Sequence, residues 1–262
     1  MRTYLEVAKK AFQNNLVYRI DYIAGLINTL VMIFVNIAIW KAIYQEDEVV
    51  GGVQLKIIIT YIVLGFLMQS IFAMDDYFIE GKMRTGLISS DLLKPISFRM
   101  YVFSYNIGNT AFKILMQLTP ALIISVIFFH FLEPFSIQMG IFFFISSVLG
   151  FFVLYSINFL VWITSFWFYY IFSMVTIKDA LIMVLSGAVI PLWFMPQWLM
   201  DFIKMTPFDS IYYIPISIYL GQIPQSEILL SILKQVLWIL ALTLAGHLLW
   251  KRATKKLVVQ GG

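Results

Sequence analysis

Asn106, Asn109, Lys113 and Gln117 recur at i, i+3, i+7 and i+11 in a run that is otherwise apolar. On a helix this spacing aligns them as one polar stripe. At membrane depth such a stripe must face protein or water, because lipid offers no hydrogen-bond partner. Two chemistries fit it. One is a surface turned toward a translocation path or a partner subunit. The other is glue between helices, with the lysine snorkelling toward a headgroup layer. The carboxylates nearest the membrane are Asp21, Asp75, Asp76, Glu80 and Asp179, and they sit at the ends of apolar runs. Proton or sodium coupling would place such a group mid-span. Interfacial placement, with loop cations as partners, is the plainer reading.

Little else in the chain is equipped for catalysis. His130 and His247 fall near opposite faces in the topology below, so they do not form one metal site in a monomer. Ser186-Gly187 lacks the surroundings of a serine nucleophile. The phosphate-cradling pattern G-x-x-x-x-G-K-[ST] is missing, since Gly81-Lys82 lacks the earlier glycine. The expectation is a chain with no catalytic residue, no metal and no bound cofactor. If ATP is used, another chain binds it. There is no cysteine, which excludes disulfides and thiolate metal sites.

The elements that carry these residues are membrane helices. Hydrophobic residues make up 61% and charged residues 12% of the 262-residue chain, against about 25% charged in a soluble domain. This is an all-α polytopic membrane protein in one transmembrane domain, 1–262. The net charge of +4 fits cytoplasmic loop bias in a lipid-embedded chain, not nucleic-acid binding. Six spans are expected, at 20–44, 55–79, 101–131, 139–172, 180–190 running into a broken region, and 228–250. Pro120 is expected to kink the third. The charged N-terminus precedes an apolar run too long for a signal peptide, so the first span reads as an uncleaved anchor.

Lysine and arginine set the orientation. Arg2, Lys9, Lys10, Arg19, Lys82, Arg84, Lys94, Arg99, Lys178, Lys251, Arg252, Lys255 and Lys256 share one side when the N-terminus is inside. Both termini are then cytoplasmic, in the cell membrane, and the acidic run 46–48 lies outside. Residues 2–17 place Leu5, Ala8, Phe12 and Leu16 at helical spacing, which predicts an amphipathic helix lying in the inner interface. Trp167, Tyr169, Tyr170, Trp193, Trp198, Tyr212 and Tyr213 read as interfacial aromatics.

Residues 181–220 are as apolar as a span, yet Pro191, Pro196, Pro207 and Pro215 interrupt them. A lipid-exposed helix does not absorb four such breaks. The expected solution is a helix that breaks near Pro191 and folds back as short pieces, a re-entrant helical hairpin at the outer face over 191–227. Between the second and third spans, 80–99 form the longest cytoplasmic connection. Arg84, Gly86, Leu87, Leu92, Leu93, Lys94 and Pro95 give it a short, basic, partly apolar character. Either a soluble partner grips this segment or it is a plain basic loop.

Three stretches together resemble the ABC type-two export permeases. They are YRIDYIAGLINTLVMIFVNIAIWKAIY after the amphipathic N-terminus, RTGL leading to LLKPIS, and an ordered series through Ser186-Gly187, Pro191-Leu192, Met195-Pro196, Trp198-Leu199, Thr206-Pro207-Phe208, Tyr213-Ile214-Pro215 and Leu220-Gly221. Ser89 departs from the acidic residue or Asn such sequences often carry. The resemblance implies a six-span permease paired with a second permease subunit, identical or homologous. It also implies two ABC ATPase subunits carrying ATP and Mg, a coupling helix in the first cytoplasmic loop, and a gate in the proline-rich return. A secondary transporter, or a scaffold subunit without transport, remains as the alternative. Secondary transporters usually show paired inverted repeats, and none is evident here.

Overall fold

The computed structural model describes residues 2–17, 19–45, 49–50, 52–129 and 132–256. Helix α1 is Arg2–Asn15 and α2 is Arg19–Tyr44. A two-residue ladder follows, β1 (Val49–Val50) against β2 (Val53–Gln54), antiparallel with Val50 opposite Val53. Then come α3 (Leu55–Phe72), α4 (Phe78–Arg84), α5 (Leu87–Leu92) and α6 (Phe98–Lys113). A π-helical turn, Ile114–Leu118, carries α6 into α7 (Thr119–Phe129). The remainder is α8 (Ile137–Ile163), α9 (Phe172–Leu185), α10 (Gln197–Lys204), α11 (Tyr213–Tyr219) and α12 (Gln225–Ala253). The acidic run 46–48 and His130 lie outside the described residues.

Among the described residues, five helical stretches are long and apolar enough to cross a membrane: Ile20–Tyr44, Leu55–Phe72, Phe98–Phe129, Ile137–Phe166 and Gln225–Lys256. In place of the expected fifth, 180–190, stands α9, whose 14 residues rise only about 21 Å against a hydrocarbon core of about 30 Å. It begins earlier than the sequence predicts, at Phe172, because α8 ends at Ile163 and a 3-10 turn, Thr164–Phe166, closes it. The second span also ends early, at Phe72, and non-helical residues separate it from α4. At Pro120 the departure from regular helix takes the form of the widened π turn just ahead of it. Proline has no N–H for the preceding carbonyls, and Thr119 closes the turn by donating both its N–H and its Oγ1, the latter at 2.9 Å, to Ile114 O.

Helices α8 and α12 run side by side in the same direction. Gln225 Nε2 donates to Gln138 Oε1 at 2.8 Å, Ser146 Oγ to Gln235 Oε1 at 2.9 Å, and Gly246 lies against the Phe159 ring. This pairing serves as a depth scale for the broken region. The end of α11 sits at the head of α8, where Phe135 N donates to Tyr219 O at 3.0 Å. The residues before α11 lie well down the same helix. A Cβ on Gly150 would come within 2.6 Å of Ile211 O, so only glycine lets that backbone approach. Helix α11 therefore climbs from the middle of α8 back to its head.

The prolines sit where a missing N–H costs nothing. Pro191 and Pro207 each precede a 3-10 turn, Pro196 caps α10, and Pro215 is the third residue of α11. The break itself comes earlier than Pro191. Helix α9 ends at Leu185, and Gly187 takes a left-handed φ of 72°. Tyr61 Oη donates to Gly187 O at 2.6 Å, Gln69 Nε2 to Ala188 O at 2.9 Å, and Tyr213 N to Ser186 O at 3.1 Å. Helix α1 forms where an amphipathic helix is expected. It packs along α6 through Tyr4, Ala8, Ala11 and Phe12, with the Phe12 and Phe112 rings 5.2 Å apart, and leaves Leu5 and Leu16 exposed. Tyr212 is no interfacial aromatic, being buried and stacked on Phe72.

Gly187→Ala should destabilise the protein by about 1–3 kcal/mol, because it adds left-handed strain and a Cβ crowded by Tyr61. Tyr61→Phe, which removes one buried hydrogen bond, should cost about 1 kcal/mol. Tryptophan-fluorescence melting in detergent checks both. A Gly187→Ala protein as stable as wild type would contradict the assigned break.

Candidate functional site

The segment between α3 and α6 folds as a rigid two-helix unit. Gly86, with φ 73°, makes the turn from α4 into α5. The buried carboxylate of Asp91 accepts from Lys82 Nζ and from Lys94 Nζ, each at 2.6 Å. Burial alone would push the Asp91 carboxyl up, but the two ammonium partners outweigh it and hold it below the usual carboxylate range. The stabilisation is therefore complete at neutral pH and fades only as pH falls through that lowered value. Glu80, also buried, accepts from Ile171 N at 3.3 Å and faces Arg84 at 3.6 Å. The Arg84 guanidinium lies over the Tyr170 ring at 4.8 Å.

These anchors determine which side chains stay free. Leu93 is 86% exposed and Leu87 55%. Leu92 turns inward, against the cluster around Ile79, Ile88 and Trp162. Pro95 is exposed, and the next turn is tied to α1 through Ser97 N, which donates to Tyr4 Oη at 2.9 Å. The unit thus leaves Leu87, Leu93, Arg84, Lys94 and Pro95 exposed, and uses Gly86 and Leu92 to build itself. Asp91 and Glu80 carry no sequence signal for this role, because each bonds to its partners only in the fold.

The polar stripe does not stay together. Asn106 bonds back to Val102 O of its own helix at 2.9 Å. Asn109 accepts from Asn15 of α1 at 2.9 Å. Lys113 donates to Ala73 O at the end of α3, at 2.7 Å, and Gln117 to Tyr22 O of α2 at 3.4 Å. The π turn lies between Lys113 and the next regular helical residue, so the straight-helix register is lost there. Lys113 and Gln117 line a vestibule of about 800 Å³, whereas Asn106 and Asn109 do not. The other walls come from α2 (Asn28, Asn36), α3 (Gln69), α8 (Asn158) and α9 (Lys178, Ile182). Ala188 and Tyr212, beside the break, also contribute to the wall. Asp76 accepts from Lys178 Nζ at 2.7 Å and from Trp162 Nε1 at 2.9 Å, and Asp179 meets the same lysine at 3.0 Å.

Pro191, Pro196, Pro207 and Pro215 punctuate the broken region as described, and Trp198 on α10 is 71% exposed. Sequence reading missed what holds that region down. Asp209, buried, accepts from Lys234 Nζ of α12 at 2.6 Å. Gln235, fully buried, donates to Ser210 O at 2.8 Å and to Ser146 O at 3.0 Å. Adjacent Lys234 and Gln235 inside the last span were the available signal. Among the described residues no cluster of metal-ligating side chains occurs.

A buried charge left alone costs more than the pair it came from. Lys234→Met should destabilise by about 3 kcal/mol, and the double variant Lys234→Met/Asp209→Asn should recover more than half of that. Thermal melting of the three proteins checks it. Additive losses would contradict a coupled pair.

Comparison with curated proteins finds no match. The family described as ABC-2 family transporter protein matches residues 30–261, which include the two-helix unit, most of the vestibule wall and the whole broken region. On that match this multi-pass membrane chain belongs to the ABC-2 transporter family.

Proposed function

We propose that this chain is the membrane-spanning subunit of an ATP-driven exporter, moving an amphipathic or hydrophobic molecule outward across the cell membrane. The observation that carries the reading is the rigid α4–α5 unit with two free leucines, an apolar docking surface next to charged rims. The chain has no phosphate-cradling loop of its own, so work enters through contact with a separate ATPase. Two ABC ATPases, carrying ATP and Mg, would serve a pair of permease subunits, identical or homologous. ATP binding would draw the two α4–α5 units together and shift the pair between states.

Both termini are cytoplasmic in this reading, as is the α4–α5 unit. The segment 191–227 then forms a re-entrant gate at the outer face. Helix α10 leaves that face, Asp209 and Ser210 mark its deepest turn, and α11 returns. The depth of Ile211 beside Gly150, and of Tyr219 beside Phe135, supports this course.

Leu93→Asp should abolish co-purification of the ATPase and substrate-stimulated hydrolysis, because apolar anchors carry most of such binding energy. Lys94→Ala should weaken association only a few-fold, as rim charges do. Both are measured on protein inserted at wild-type levels. Normal association and hydrolysis in Leu93→Asp would remove the coupling role of this unit.

A further inference from the structure

We infer that the vestibule is a binding site for an anionic amphiphile, whose charged headgroup seats against Lys113. The inference deepens the exporter reading by naming a substrate class, and its test reads binding alone, so it stands or falls separately from ATPase coupling.

The charges of the vestibule are not equally matched. Lys178 meets two carboxylates, Asp76 and Asp179, at 2.7 and 3.0 Å. Among the described residues, no carboxylate oxygen lies within 4.0 Å of Lys113 Nζ. Asp75 is the carboxylate whose charge acts on Lys113, but among the described residues it makes no ion pair with it within 4.0 Å, and it accepts from Tyr77 N at 3.1 Å. An ammonium has three donors, and Lys113 spends one of them on Ala73 O. The other two stay available on a half-buried side chain that lines the cavity. A cation so placed in a low-dielectric surrounding attracts an anion strongly.

A second observation points the same way. Asn158, 3% exposed, lines the same cavity, and its Oδ1 is buried without a hydrogen-bond partner. That oxygen has no open surface, so a hydroxyl-bearing headgroup would supply the missing donor once the Asn158 amide turns toward the cavity. A singly ionised phosphate monoester carries both features, negative oxygens for Lys113 and a P–OH for Asn158. The apolar remainder of the wall, with Met32 and Met183 exposed at its rim, suits an alkyl chain. The same chemistry describes an exported single-chain amphiphile and a resident anionic lipid.

The test uses the full chain in phosphatidylcholine nanodiscs with two probes of one fluorophore and one chain length, a dodecyl phosphate and a dodecyl trimethylammonium. The phosphate should bind saturably and more tightly than the cation. Lys113→Gln should weaken it about tenfold or more, the scale of one charge-assisted hydrogen bond. Lys113→Arg should retain binding, Asn158→Leu should weaken it several-fold, and Lys255→Gln should leave it unchanged. Competition by added phosphatidylglycerol identifies a resident lipid as occupant, and its absence identifies a single-chain amphiphile; both support the anion site. Equal or tighter binding of the cation overturns the inference. So does undiminished phosphate binding by Lys113→Gln. If that variant fails to fold, wild-type phosphate affinity in Asn158→Leu together with lost binding in Lys113→Arg overturns it.

Discussion

Peptide groups that leave helical geometry halfway down an apolar bundle must be hydrogen-bonded by something else, and the rest of the structure is arranged around that requirement. Such groups cost several kcal/mol each if left bare in lipid. Three side chains and one backbone group answer the demand. Tyr61 and Gln69 of α3 serve Gly187 O and Ala188 O, Gln235 of α12 serves Ser210 O, and Tyr213 N closes onto Ser186 O. The break is therefore clamped from two neighbouring spans. Gly150 completes the arrangement from α8 by offering no Cβ where Ile211 O approaches.

Helix α9 connects this clamp to the α4–α5 unit. Ile171 N, just before it, is held by Glu80 of α4, and Lys178, midway along it, is held by Asp76. Its last residues reach Ser186 and the break. One short helix thus has its start fixed by the α4–α5 unit and its end fixed at the break, with the vestibule along its side. A span of full length with an ordinary loop at each end would not tie the two regions together in this way.

Much of this architecture is written in the sequence, and the parts that are not share a cause. Apolar runs located three of the spans to within a few residues at both ends and the starts of the second and fourth, and the prolines marked 191–215 as broken. Proline does not identify the residue at which a helix ends, however, because it is equally at home in the first turn of the next one. That is why the break falls at Gly187. Five stretches, not six, meet the length and hydropathy for a crossing, and the difference falls at α9, where hydropathy is continuous through Trp167–Phe172 while backbone continuity is not. The polar stripe from Asn106 to Gln117 was drawn on a straight helix, and a π turn ahead of Pro120 disperses it. Asp209–Lys234 and Asp76–Lys178 join different helices or turns, so although Lys234 stands out inside the last span, nothing local in the sequence names its partner. The exposed Leu87 and Leu93 were legible as apolar residues in a basic loop, but the inward turn of Leu92 depends on packing against Trp162.

The central claim is that the broken segment leaves and returns on one side, opposite the α4–α5 unit. The absence of cysteine permits single cysteines at Trp198, Gln222 and Ser90, all exposed positions, to be probed in intact cells with an impermeant maleimide. The account predicts labelling of Trp198→Cys and Gln222→Cys from outside, and of Ser90→Cys only after permeabilisation. Labelling of Trp198→Cys and Gln222→Cys from opposite sides, or of Ser90→Cys from the same side as Trp198→Cys, would contradict it.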